Sequence, residues 1–124
     1  MPGGADCTVI VFARAPVPGR AKTRLIPALG AAGAARLAAR LTEHALSAAK
    51  AARLGPVELW CAPDSAHRFF ADCARRYGVA LRPQGAGDLG ARMHRALARS
   101  APAILIGSDI PAMTRAYSRV RSIN

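Results

Sequence analysis

The sequence predicts a three-layer α/β/α domain with a mostly parallel sheet, and three observations carry that prediction. Short apolar segments rich in branched residues recur along the chain, with longer alanine- and leucine-rich stretches between them. Gly or Pro stands at most junctions, and a strongly cationic loop follows the first apolar segment directly. Strand and helix in alternation favour parallel pairing through right-handed crossovers, with helices packed on the sheet faces.

The elements follow in order. Cys7 to Ala13 is a continuous apolar run, the pattern of a strand covered on both faces. Gly30 can close the loop behind it and open a helix over Ala31 to Arg53, whose alanines suit helix propensity and close packing on a sheet. Gly55-Pro56 stops that helix, and Val57 to Cys61 is the second strand, with Trp60 inside the apolar run as a core residue. Asp64 or Ser65 can cap a helix over Ala66 to Tyr77, and Gly78 ends it. Val79 to Leu81 is a third strand and Leu89 to Arg99 a third helix, with Leu, Ala and Met at helical spacing and Arg on the other face. Pro102 breaks before a fourth strand, Ala103 to Ile106.

A chain of 124 residues suffices for one domain and one core. No stretch approaches the roughly 18 apolar residues of a membrane span, and the amino terminus lacks a secretory pattern, so the expectation is a cytoplasmic protein without a membrane partner. Cys7, Cys61 and Cys73 are odd in number and sit among apolar residues, which suits free buried thiols better than a disulfide frame or a zinc site. Eighteen Lys and Arg against seven Asp and Glu give a formal charge of +11, enough to attract polyanions. The cations are spread among Ala, Gly and Pro with little aromatic interleaving, which argues against a dedicated nucleic-acid surface.

The chemistry concentrates in three motifs. The first is Arg14-Ala15-Pro16-Val17-Pro18-Gly19-Arg20-Ala21-Lys22-Thr23-Arg24-Leu25, a loop at the carboxyl end of the first strand, where open α/β sheets bind ligands. Its four cations, Arg14, Arg20, Lys22 and Arg24, can give a polyphosphate charge-assisted contacts. The loop is not a Walker A motif, since Pro16 and Ala21 stand where that motif requires glycine. The second is Gly107-Ser108-Asp109-Ile110-Pro111, in which Asp109 follows a buried strand on the same edge and is a suitable hard ligand for Mg2+ or Mn2+ bridging phosphate oxygens. A turn cap before Pro111 is the alternative for Asp109. The third, Gln84-Gly85-Ala86-Gly87-Asp88-Leu89-Gly90-Ala91-Arg92-Met93, contains a literal G-x-G-x-x-G. Asp88 argues against reading it as a dinucleotide fingerprint, because a carboxylate at the helix start repels the pyrophosphate and competes for the same amides, and a plain helix cap is the alternative for Asp88. Scattered histidines and a Ser108 without a nucleophile elbow give no metal cluster or triad.

Together the three motifs resemble those of a bacterial family of GT-A-like glycosyltransferases associated with arsenosugar biosynthesis. That family is similar in fold to the nucleotide-diphosphosugar transferases and to the 2-phospholactate and molybdenum cofactor guanylyltransferases. The resemblance spans roughly residues 7 to 116. It implies that Arg14, Gly19, Arg20, Lys22 and Arg24 line the nucleotide phosphates and that Asp109 is the catalytic metal-binding acid. It also implies that Gly87, Asp88, Leu89, Gly90 and Arg92 form a second loop near the nucleotide, engaged in binding rather than catalysis. The implied partners are a nucleotide sugar and a small-molecule acceptor. Nucleotidyl transfer from an NTP and a non-enzymatic phosphate- or nucleic-acid-binding module are the alternatives. Members of the family continue beyond the aspartate motif, so the expectation is a truncated or frame-shifted member keeping the donor half, with an apolar sheet edge open to self-association.

Overall fold

The computed structural model describes residues 7–107 and the backbone of 116–118. Strand β1 (Thr8–Arg14) leads through the cationic loop and a single 3-10 turn over Thr23–Leu25 into helix α1 (Ile26–Ala52). Strand β2 (Val57–Ala62), helix α2 (Arg68–Tyr77), strand β3 (Ala80–Pro83), helix α3 (Leu89–Arg99), strand β4 (Ala103–Gly107) and a short strand β5 (Ala116–Ser118) follow. The sheet order is β3-β2-β1-β4-β5. The first four strands pair in parallel, and β5 pairs antiparallel to β4.

The expected α/β fold with a mostly parallel sheet is therefore present. Strands β1 and β2 are mostly apolar, with Thr8, Arg14 and Glu58 the exceptions, because helices cover both their faces. On one face Val9, Val11, Ala13, Val57, Leu59 and Cys61 pack with Leu46 and Ala49 of α1 and with Phe70 and Cys73 of α2. On the other, Ile10, Phe12, Trp60, Ala103 and Leu105 pack with Ala96 and Leu97 of α3. Trp60 is the core residue expected, stacked on Phe12 at 6.3 Å with its indole N–H donating to Glu58 at 2.9 Å.

The strands shift by one or two residues from the expected bounds, and two helix starts differ for local reasons. Helix α1 starts at Ile26 rather than Ala31, because Pro27 pre-sets a first helical turn ahead of Gly30. Gly30 then breaks that turn from the main helix with φ 76° and ψ 163°, values a side chain would strain. Helix α2 is capped by neither Asp64 nor Ser65. The His67 Nδ1 accepts from the Phe69 amide at 3.0 Å, while Asp64 accepts from the Ala66 amide in the turn before it. An imidazole acceptor there serves as a carboxylate would.

This topology places the site. From β1 the chain steps outward through β2 to β3 and then returns to the other side of β1 as β4. The strand order therefore reverses between β1 and β4, and the crevice beyond their carboxyl ends is the topological switch point of the sheet.

Candidate functional site

The cationic loop leaves β1 on that edge. Its scaffold is apolar: Ala15 and Ala21 are buried, and Val17 packs on the core between them. The Ala15 amide donates to the Ala62 carbonyl at 2.8 Å, and the Arg20 and Ala21 amides both donate to the Val17 carbonyl. A tight, tethered turn thus carries the charged side chains outward. Arg14, Arg20 and Arg24 are exposed and form no ion pair or side-chain hydrogen bond among the described residues. Arg36, Arg40 and Arg68 are exposed like the loop arginines but scattered over the helices rather than gathered in one loop, whereas Arg75 and Arg76 are matched, to Asp72 at 2.7 Å and to Glu43 at 3.6 Å. The open groove lined by Asp72, Arg75 and Arg76 is for that reason the weaker anion site.

Lys22 differs from the three arginines. Its ammonium is buried, and its backbone is left-handed at φ 50°. A non-glycine residue held there costs of order 1 kcal/mol, and such strain concentrates at functional sites. Arg53 is the other non-glycine residue at positive φ among the described residues, and it closes the end of α1.

The glycine loop leaves the same edge two strands away, and its polar side chains turn inward. Asp88 is the N-cap of α3, its carboxylate accepting from the Ala91 amide at 2.8 Å. Arg92 donates through Nε to the Gly87 carbonyl at 3.1 Å and through Nη1 to the Gln84 carboxamide oxygen. Arg95 donates to the carbonyls of Gln84 at 2.6 Å and Ala86 at 3.0 Å. Gly85 has φ 86°, and a Cβ there would lie 2.7 Å from the Arg95 guanidinium. The dinucleotide reading loses ground twice: this G-x-G-x-x-G follows β3 rather than the switch-point strand β1, and its helix start is already occupied by Asp88.

The fold thus brings Arg14, Gly19, Arg20, Lys22 and Arg24 to one loop, and Gly87, Asp88, Gly90 and Arg92 to a second loop and helix start on the same edge. Asp109 lies outside the described residues, beyond Gly107 at the carboxyl end of β4. Among the described residues no three His, Cys, Asp or Glu side chains are grouped to hold a metal ion. Sequence reasoning gave no role to Gln84 and passed over Arg95. The available signal was a Gln set directly after an apolar strand, followed by two arginines three residues apart on one helix. The thiols are free, as expected, with Cys61 and Cys73 buried. Cys7 is only half-buried. No helix among the described residues is long and apolar enough to cross a membrane.

The comparisons with known proteins bear on the family and the fold. Residues 27–120 match the family described as "uncharacterized protein conserved in bacteria (DUF2064)". The fold is similar to the crystal structure of a "putative nucleotide-diphospho-sugar transferase" from Desulfovibrio desulfuricans G20, with a TM-score of 0.68 and 24% sequence identity. The match covers 87% of this chain and 49% of that one, so this chain spans about half the length of its solved relative. No curated protein matches significantly.

Proposed function

The chain belongs to the DUF2064 family, and from that premise we propose that it carries the donor-binding half of a nucleotide-diphosphosugar transferase. The observation that carries this reading is the unmatched cationic loop at the switch point of a parallel sheet. The likeness in fold to the Desulfovibrio protein supports it.

In this reading the diphosphate of a nucleotide sugar lies over the β1 loop. Arg14, Arg20 and Arg24 supply charge-assisted hydrogen bonds, and Lys22 a fixed positive charge. Gly19 lets the backbone come close to the phosphates. The charge that grows on the departing diphosphate as an acceptor hydroxyl attacks the sugar is met by these cations, already in place. Gly87 and Gly90 form a wall near the nucleotide through their main chain, while Asp88 and Arg92 hold that wall in shape. A divalent ion, Mg2+ or Mn2+, belongs to this reading through Asp109 and would add charge neutralisation at the diphosphate. The acceptor is a small molecule.

The test is calorimetric titration of UDP-glucose, GTP, CTP and NAD into the protein with Mg2+, Mn2+ or EDTA, at two salt concentrations. Saturable, metal-dependent binding of one nucleotide is expected, lost in D109A. Binding that ignores EDTA and collapses with salt would overturn the reading in favour of a nonspecific polyanion surface.

A further inference from the structure

The two loops of the site are joined by one side chain. Gln84 follows β3, is 3% exposed, and reaches across the end of β2 to β1. Its carboxamide N–H groups donate to the Trp60 carbonyl of β2 at 2.9 Å and to the Ala13 carbonyl of β1 at 3.2 Å. Its carboxamide oxygen accepts from Arg92, its main-chain N–H donates to the Cys61 carbonyl at 2.9 Å, and its main-chain carbonyl accepts from Arg95. Two strands, the glycine loop and two guanidiniums of α3 therefore meet at this residue. Ala13 immediately precedes Arg14, so the strand end that Gln84 grips runs directly into the cationic loop.

A polar side chain this deeply buried costs stability unless its hydrogen bonds are made, and a Leu or Met would fill similar space without that demand. Here both donors and the acceptor are satisfied. The one partner of the side chain outside the sheet is Arg92, which also holds the Gly87 carbonyl. We propose that Gln84 is a positioning residue that sets the cationic loop in register with the glycine loop, and that Arg92 acts through it rather than by touching substrate. The consequence for substrate binding rests on the donor-site reading above; the mechanical coupling of the two loops does not.

Hydrogen exchange measures the coupling without any ligand. The amides of Ala15, Arg20 and Ala21 report on the cationic loop, since each is bonded within it or to its base, and those of Gly78 and Val79 at the end of α2 serve as the internal control. In Q84E the side chain keeps its shape, but a carboxylate would face the Ala13 and Trp60 carbonyls. Exchange at Ala15, Arg20 and Ala21, taken relative to wild type at the same pH, is expected to rise about tenfold or more near pH 8 and to return toward the wild-type ratio in acid, where the carboxyl, held ionised by the Arg92 and Arg95 guanidiniums beside it, regains a proton and one donor. R92M removes a half-buried guanidinium and leaves the Gln84 acceptor unmet, a cost that a folded domain survives. It should give a smaller rise at the same amides with no pH recovery, and R92K, with its single ammonium, a smaller one still. The Gly78 and Val79 amides should not move in any variant. Faster exchange confined to residues 85–88, or rising uniformly through the core, would overturn the proposal.

The binding arm uses whichever nucleotide the wild-type protein binds. About tenfold weaker binding in Q84E near pH 8, recovering with the exchange at lower pH, supports the positioning role; unchanged affinity beside altered exchange overturns it for the substrate. If the wild-type protein binds no nucleotide, the donor-site reading fails while the exchange result decides the coupling independently.

Discussion

The loops after β1 and after β3 leave the same edge of the same sheet and use their polar side chains in opposite ways. After β1, small apolar residues are buried as a scaffold, and Arg14, Arg20 and Arg24 project from it without partners among the described residues. After β3, Asp88 and Arg92 spend their hydrogen bonds on the chain itself. Uncommitted charge is expensive in self-repulsion and is expected where a ligand supplies the counter-charge. Committed charge shapes a surface. On the proposed donor-site reading, one loop binds through side chains and the other through the form of its backbone.

The largest expected effect tests the first half of that contrast. Replacing both Arg20 and Arg24 by Glu should weaken nucleotide binding about 100-fold, nearly 3 kcal/mol, by removing two charge-assisted contacts and adding repulsion. Both side chains are exposed and without partners among the described residues, so the denaturation midpoint should stay within about 2 °C of wild type. A loss of stability as large as the loss of affinity would break the comparison, since the cations would then be holding the fold.

The second half predicts the reverse balance. G85A combines a positive φ with a Cβ set 2.7 Å from the Arg95 guanidinium, and should cost about 1–3 kcal/mol in urea unfolding. A neutral result would mean that Arg95 yields freely and does not fix the loop. D88A removes an N-cap, and about 1 kcal/mol of stability is expected to go with it. Its effect on affinity should be smaller than that of the Arg20 and Arg24 replacements, because the carboxylate is turned to Ala91. If D88A abolished binding at unchanged stability, Asp88 would be a ligand contact after all.

How far the sequence could be read follows the same division. The strands were legible because unbroken runs such as Val9 to Phe12 need cover on both faces, and the cationic loop because its charges had no partners nearby in sequence. Helix starts were harder: the cap at His67 uses a residue type with weak capping preference, and the turn ahead of Gly30 hides inside a loop pattern. Asp88 was legible as a helix cap from its place just before Leu89, and the structure bears that alternative out, but the internal use of Arg92 was not, because an arginine that holds the chain and one that meets a ligand are the same residue type. Gln84 was the least accessible of all. Its meaning depends on Ala13, 71 residues earlier, lying within reach across β2.

The last prediction concerns the core beneath the two loops and is silent near neutral pH. Burial raises the thiols of both Cys61 and Cys73 to about 12, with Cys73 adding to the effect on Cys61 and Glu43 to that on Cys73. The folded state therefore holds these protons at pH values where the unfolded chain has released them. Stability drawn from the two thiols is complete below the ordinary thiol value of 9.0 and is lost as the pH rises from there toward 12. Urea midpoints for wild type and C73A should run parallel below that window and converge within it, because the variant has one titrating group fewer. A direct check is thiol labelling: Cys7, half-buried, should react first, and Cys61 and Cys73 only as fast as the protein opens. Since the Gln84 carboxamide N–H donates to the carbonyl of Trp60, the residue before Cys61, faster labelling of Cys61 than of Cys73 in Q84E would show that the positioning contact also restrains the end of β2. Equal rates would confine its action to the loops.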